Sequence, residues 1–173
     1  MAAGNTYEAI ATQTLGSDTA TVTFSSIPST YTDLVLVVDA QTTATGTGGS
    51  PQAMVMTYNS DTGTNYSITS LYANTTASTA LSFRWSSQNS ARVGAITQTS
   101  SGFNALTTIN IMNYSNATTY KTGISRSGYQ GQYGVEADVH LWRSTSAITS
   151  LTLGSDYSFK AGSTFNLFGI KAA

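Results

Sequence analysis

The chain of 173 residues suits one domain, and it has a formal net charge of -1 with charged residues at 9%, against about 25% in an ordinary domain. So weak a charge cannot steer a polyanion, and the sequence therefore predicts no nucleic acid partner. There is no cysteine, which excludes disulfides, thiolate nucleophiles and cysteine-ligated metals.

The first residues, MAAGNTYEAIA, contain neither a basic segment nor a long apolar one, so we expect no signal peptide. No stretch approaches the ~20 consecutive apolar residues of a transmembrane helix, and no membrane partner is predicted. Residues 1–6 are small and polar and are predicted to form an N-terminal arm. Residues 7–173 are predicted to form a single β-sandwich domain.

The residue types favour strands over helices, since Thr, Val, Ile and Tyr are abundant while Glu, Lys and Leu are scarce. Apolar segments alternate with turn signals every 8–15 residues. This spacing predicts an all-β fold of about nine or ten strands, arranged as an antiparallel two-sheet sandwich of jelly-roll type. The candidate strand segments are 7–15, 20–24, 31–41, 52–58, 81–85, 93–97, 105–114, 120–126, 135–142, 148–153 and 164–170. Residues 67–73 fit a short helical turn and an irregular strand equally well.

Residues 31–41, YTDLVLVVDAQ, contain the most hydrophobic run of the chain. A strand that is apolar on both faces is usually buried on both, so this segment is predicted to be the central strand. In a jelly roll, distant strands come together, and we predict that residues 164–170 pair beside it.

Residues 135–142, VEADVHLW, alternate cleanly between apolar and polar side chains. Successive residues of a strand point to opposite faces. The expected inward set is Val135, Ala137, Val139 and Leu141, and the expected outward set is Glu136, Asp138, His140 and Trp142.

Asp61-Thr62-Gly63 matches the triplet of aspartic proteases. That chemistry needs two carboxylates that share a proton, but the chain has no second copy and the residues before the triplet are polar. The triplet is therefore predicted to be an Asx-type turn.

Glu136 and Asp138 would be ~7 Å apart by strand rise, a separation that suits an inverting glycosidase. Two outward acids on one strand are nevertheless common. His140, the single histidine, does not form a good triad with Asp138 on the same strand face, and one histidine with scattered carboxylates is not a metal ligand set. The sequence predicts no enzyme, with no catalytic residue, no metal and no cofactor.

Several aromatic residues and arginines are predicted at strand edges or in loops. Exposed aromatic side chains mark a protein interface, a sugar platform or ordinary packing, and arginine is enriched at interface hot spots. The candidate interface residues are Arg84, Trp85, Tyr129, Tyr133, Trp142 and Arg143.

Four stretches of the chain are similar to stretches that follow one another in the same order in known proteins. They are FSSIPSTYTD at 24–33, YNSDTGTNY at 58–66, WRSTSAITSLTL at 142–153 and FNLFGI at 165–170. This order resembles a group of small β-rich virion proteins of tailed phages, many of them from phages of cyanobacteria. In that group a corner like SIPQTYTDL leads into the central strand, a turn like FNGDTGSNYS follows, and AITSLTL precedes a closing LYGI. The likeness covers nearly the whole chain.

The resemblance implies a bacteriophage structural protein, and the first expectation is a capsid cement or decoration protein on the virion surface. Its expected partners are the major capsid protein and further copies of itself, in a trimer. The alternative is a tail-fibre or receptor-binding module, which would bind a host glycan through the loops at 42–51, 86–92 and 127–134. A hydrolase on a jelly roll is the third possibility.

Overall fold

Twelve strands and no helix form the part of the chain that a computed structural model describes, residues 6–45, 51–73, 79–98, 102–129 and 134–171. The fold is all-β, as predicted, with more strands than the nine or ten expected. The strands are β1 (Tyr7–Thr14), β2 (Thr19–Phe24), β3 (Asp33–Thr42), β4 (Gln52–Tyr58), β5 (Tyr66–Ala73), β6 (Leu81–Gln88), β7 (Ala91–Gln98), β8 (Ala105–Met112), β9 (Lys121–Tyr129), β10 (Gly134–Trp142), β11 (Leu151–Phe159) and β12 (Thr164–Ile170).

The strands form a two-sheet sandwich of jelly-roll type. The larger sheet is antiparallel with the order β6-β5-β10-β9-β8-β3-β12-β1. The smaller sheet has the order β2-β11-β4-β7. In the larger sheet, the face that packs against the smaller sheet is called the inner face below, and the opposite face is called the outer face.

β3 is the central strand, as its apolar sequence predicts. It lies between β8 and β12 in the larger sheet, and this confirms the predicted pairing of residues 164–170 with it. The end of β3 also reaches the smaller sheet, because Gln41 and Thr42 pair with β7 and Thr42 pairs with Phe159 of β11. One strand therefore connects the two sheets.

The apolar core lies between the sheets. From β3 it contains Leu34, Leu36 and Val38, and Met54 and Met56 of β4 belong to the same buried cluster. Full burial of one such side chain stabilises the fold by about 1.5–3 kcal/mol. On the outer face, Val35 is buried as well, Val37 is half-buried and Asp39 is exposed, so burial on both faces is confirmed only for the middle of β3.

Two segments differ from the sequence prediction. β5 shows that residues 67–73 form a strand and not a helical turn, because they pair with both β10 and β6. Residues 154–159, with their Gly-Ser-Asp turn signal, continue β11 instead of ending it. The pairing of β11 with β2 continues past these residues, with a register shift between Gly154 and Phe159.

Candidate functional site

β10 has the opposite orientation to the one predicted, and this correction determines both surfaces described below. Asp138 and His140 have no exposed surface and Trp142 has 2%, while Val135 and Val139 are 62% and 51% exposed. Alternation shows that neighbouring residues lie on opposite faces, but it does not show which face is inside. Here polar partners from β4, β5, β7 and β9 make the polar side the inner one.

Glu136 is the most fully bonded member of the buried polar cluster. Arg92 of β7 donates to it twice, from Nε to Oε1 at 2.6 Å and from Nη2 to Oε2 at 3.0 Å. Ser70 Oγ of β5 donates to Oε1 at 3.1 Å. Side chains from three strands thus meet at the buried carboxylate of Glu136 and satisfy its charge. The two hydrogen bonds from Arg92 form a bidentate pair, which is the strong form of an arginine–carboxylate contact.

Asp138 lies next to Glu136 on the same strand face and has fewer partners. Ser125 Oγ is 3.5 Å from its Oδ2, and its Oδ1 has no hydrogen bond from the described residues. Burial, followed by the negative charge of Glu136, raises the pKa of Asp138 to about 7. A carboxyl group with this pKa carries a proton for much of the time at neutral pH.

His140 completes the inner row of β10. Its Nε2 shares a hydrogen bond of 2.5 Å with the Tyr58 hydroxyl, and its Nδ1 has no partner among the described residues. Burial lowers the pKa of His140 to about 4, so the ring is neutral at pH 7. Its ring lies against Gly123, where an added Cβ would come within 2.5 Å of it.

This geometry does not form the catalytic arrangements that the sequence raised. Asp138 bonds to Ser125 and His140 bonds to Tyr58, so they do not bond to each other as two members of a triad do. Glu136 and Asp138 both lie inside the sandwich, whereas a glycosidase pair flanks its substrate. Among the described residues, no group of three or more His, Asp and Glu side chains could hold a metal ion.

Asp61 forms the Asx-type turn that the sequence predicts. Its carboxylate accepts hydrogen bonds from Gly63 N at 2.8 Å, Asn65 Nδ2 at 2.9 Å and Trp142 Nε1 at 2.7 Å. The pKa of Asp61 is lowered from its ordinary value, and the hydrogen bond from Trp142 is the largest cause. The triplet thus anchors the β4–β5 connection to the end of β10.

The structure separates the six candidate interface residues. Trp142 and Tyr129 are buried in the core cluster, so the prediction that they are exposed is wrong. Arg143 is half-buried and donates to Ser67 Oγ and Thr64 O. Tyr133 lies outside the described residues.

Arg84 and Trp85 are exposed on the edge strand β6, in agreement with the prediction. They alternate along the strand and therefore lie on opposite faces. Arg84 pairs with Thr69 on the outer face, and Trp85 pairs with Ile68 on the inner face.

The outer face of β5, β8, β9 and β10 exposes large apolar side chains. The pairing registers place them on one surface, with Val139 opposite Ile124, and Val135 and Leu106 both opposite Gly128. The six members of this exposed apolar patch, each between 39% and 62% exposed, are Leu71, Leu106, Met112, Ile124, Val135 and Val139. The alternation of apolar and polar side chains along β8 and β10 could have revealed this patch, but the apolar side of β10 was predicted to face the core.

A cavity of about 380 Å³ opens at one end of this patch. Its lining includes Leu71, Ala80, Val135 and Ala137, with Arg126 beside them. On the strands β5, β6, β9 and β10, the charged side chains of the outer face are Arg84 and Arg126, since the carboxylates of β10 point inward. The patch therefore surrounds one exposed positive charge, Arg126, which lies between Ala137 of β10 and Thr108 of β8, and Arg84 lies at its β6 edge.

No family model matches the chain, and no curated protein matches it. Two crystal structures of scytalido-glutamic peptidase, one with a peptide-based transition state analogue and one with a transition state analogue inhibitor, are similar over 89% and 90% of this chain. The identity is 11% in both cases, with TM-scores of 0.30 and 0.31, and the chain spans 65% and 66% of those two chains. The described residues form no helix long and apolar enough to cross a membrane.

Proposed function

We propose that this protein is a structural component of a phage virion, a capsid cement protein that binds the assembled shell of the major capsid protein. The exposed apolar patch of the outer face carries this proposal. Contiguous exposed apolar surface on a folded domain marks a site of protein association. The sequence resemblance to phage virion proteins supports the same assignment.

The patch is suited to docking because the sheet beneath it is rigid. Each of its strands is hydrogen-bonded on both sides within the larger sheet, so the backbone that carries these side chains is held in place before a partner arrives. A preorganised surface loses less conformational entropy on binding than a flexible loop does. The cavity beside Leu71 provides a recess for an inserted apolar side chain.

A cement protein stabilises a shell because it binds the assembled state and not the free subunits. Weak individual contacts suffice, since a shell repeats the same site many times and multivalent attachment multiplies small energies. A trimer would match a local threefold axis of the shell. Low net charge also keeps electrostatic repulsion between neighbouring copies small.

The test is sedimentation of the purified protein with assembled shells and, separately, with unassembled major capsid protein from the same virus. We expect binding to the shells alone. Val139→Lys places a charge in the patch and should abolish co-sedimentation, while Thr21→Lys, at an exposed position of β2 in the smaller sheet, should retain it. Binding to neither form of the capsid protein would contradict the proposed function, and equal binding by both variants would contradict the proposed surface.

A further inference from the structure

A second exposed surface lies on the inner side of β6, at the far edge of the larger sheet from β1. Leu81, Phe83 and Trp85 alternate along this strand and pair with Tyr72, Ser70 and Ile68, which are inner-face residues of β5. Although it lies on the inner side, Trp85 is 46% exposed. The two aromatic side chains of β6, Phe83 and Trp85, together with Tyr72 are called the aromatic shelf below.

The rings of the shelf hold one another in place. The centroids of Phe83 and Trp85 are 4.3 Å apart with an angle of 35° between the planes, and those of Tyr72 and Phe83 are 6.0 Å apart. The Arg92 guanidinium lies 5.7 Å from the Phe83 centroid, a cation–π distance. Arg92 is fixed in turn by Glu136, so the shelf is anchored to the buried polar cluster.

The surroundings of the shelf are polar, and the Arg92 charge that contacts its Phe83 ring is paired with Glu136. Residues 86–90, with the sequence SSQNS, follow Trp85 and offer hydroxyl and amide groups at the end of β6 and in the turn to β7. Gln88 Nε2 donates to Ser86 O at 2.9 Å within the end of β6. The nearest opposite charges, Arg92 and Glu136, neutralise each other, and Arg84 points to the outer face.

We propose that the aromatic shelf, with the polar segment 86–90 that follows it, binds a neutral oligosaccharide. The C–H groups of a pyranose ring pack on the electron-rich face of an indole. The hydroxyl groups around the same ring exchange hydrogen bonds with amides and serine hydroxyls, both of which can donate and accept. A small apolar platform with a few polar groups that set orientation is the general composition of a small-ligand site.

The absence of unpaired charge on the described part of the shelf disfavours an anionic ligand. A protein partner fits the outer face better, because the exposed apolar patch extends over four strands and is broader than the three rings of the shelf. The shelf and the patch lie on opposite faces of the larger sheet, so both can be occupied at once. This inference is therefore independent of the proposed capsid role.

The two tryptophans of the chain allow a direct test by fluorescence. Trp142 is buried and Trp85 is exposed, so acrylamide quenches mainly Trp85. The probes are hexasaccharides of β-1,4-glucose, α-1,4-glucose and β-1,4-N-acetylglucosamine, together with a sulfated oligosaccharide. We expect at least one neutral probe to protect Trp85 from quenching, and Phe83→Leu to weaken its binding by about tenfold or more, as truncation at a hot spot does.

Binding of the same probe by Trp85→Ala is measured by calorimetry, since this variant lacks the reporter. Its affinity should also fall by about tenfold or more, and Tyr157→Ala, at an exposed aromatic position of β11, should bind as well as the parent protein does. The proposal is overturned if no neutral probe binds, if the sulfated probe alone binds, or if Trp85→Ala binds unchanged. Protection of Trp85 that grows with protein concentration without sugar would identify a contact between copies and would also overturn it.

Discussion

The two halves of the larger sheet distribute polarity in opposite ways. In the half made of β8, β3 and β12, the inner face is apolar, with residues such as Leu36 and Ile109 in the core. In the half made of β5, β10 and β9, the inner face holds Glu136, Asp138 and His140, and the outer face exposes Leu71, Val135, Val139 and Ile124 around Arg126. The larger sheet thus has two parts. The half made of β8, β3 and β12 is called the apolar half below, and the half made of β5, β10 and β9, which has polar side chains inside and apolar ones outside, is called the inverted half.

Because of this difference, the side chains that stabilise the fold are not the same as the apolar side chains that are available for binding. The apolar half depends on burial and close packing, whereas the inverted half depends on hydrogen bonds that satisfy buried polar groups. Because the inverted half does not need its apolar side chains for the core, they remain at the surface. We infer that they are retained for a partner.

The largest expected effect is in the apolar half. Ile109→Ala removes a fully buried side chain of β8 and should lower the free energy of unfolding by about 2–5 kcal/mol. Leu106→Ala, on the same strand but on the outer face, should change it by less than about 1 kcal/mol. Urea denaturation of both variants measures the contrast, and equal losses would contradict the assignment of the two faces.

The next largest effect is in the polar cluster. Arg92→Met leaves Glu136 buried without its cation and should cost about 3 kcal/mol of unfolding free energy, because an unpaired buried charge is strongly unfavourable. Arg84→Met, which truncates an exposed arginine of the neighbouring strand, is the matched control and should change it by less than about 0.5 kcal/mol. If Arg92→Met were as mild as the control, the ion pair would have no structural role.

The pH dependence of stability tests the buried row of β10. The pKa of Asp138 is raised to about 7, so its contribution is complete below the unfolded pKa near 3.8 and is lost as the pH rises through about 7. The pKa of His140 is lowered to about 4, so its contribution is complete above about 6.5 and is lost as the pH falls through about 4. Between about pH 4 and 6.5 the two slopes therefore oppose each other and largely cancel.

Single substitutions should reveal how Asp138 and His140 each change the unfolding free energy with pH. Relative to the parent protein, the unfolding free energy of Asp138→Asn should rise with pH between about 4 and 6.5, and that of His140→Gln should fall, each by about 1 kcal/mol per pH unit. Denaturation series at four or five pH values measure this, and the lowered pKa of Asp61 contributes equally to all three proteins. Parallel curves would show that these two groups do not titrate as described.

The smallest effect on stability is expected at the exposed apolar patch. Val139→Lys should leave the free energy of unfolding within about 0.5 kcal/mol of its original value, since the side chain is 51% exposed. The same substitution should abolish shell binding. A loss of several kcal/mol of stability would instead show that Val139 belongs to the core.

The sequence predicted the parts of the fold that depend on period and composition. The all-β class, the central position of β3 and its pairing with β12 follow from a doubly apolar segment and a second apolar strand. The orientation of β10 could not be predicted, because alternation is symmetric and the partners that make its polar side the inner one, Arg92, Ser70 and Tyr58, are remote in sequence. For the same reason Trp142 was expected outside, whereas its side chain is buried and its indole donates to Asp61 of the β4–β5 turn.

A cryo-EM map of the virion tests the central claim most directly. The account predicts density for this protein on the capsid surface, with the exposed apolar patch around Val135 and Val139 in contact with the major capsid protein. Density on the tail, or on the capsid with this patch facing solvent, would contradict it.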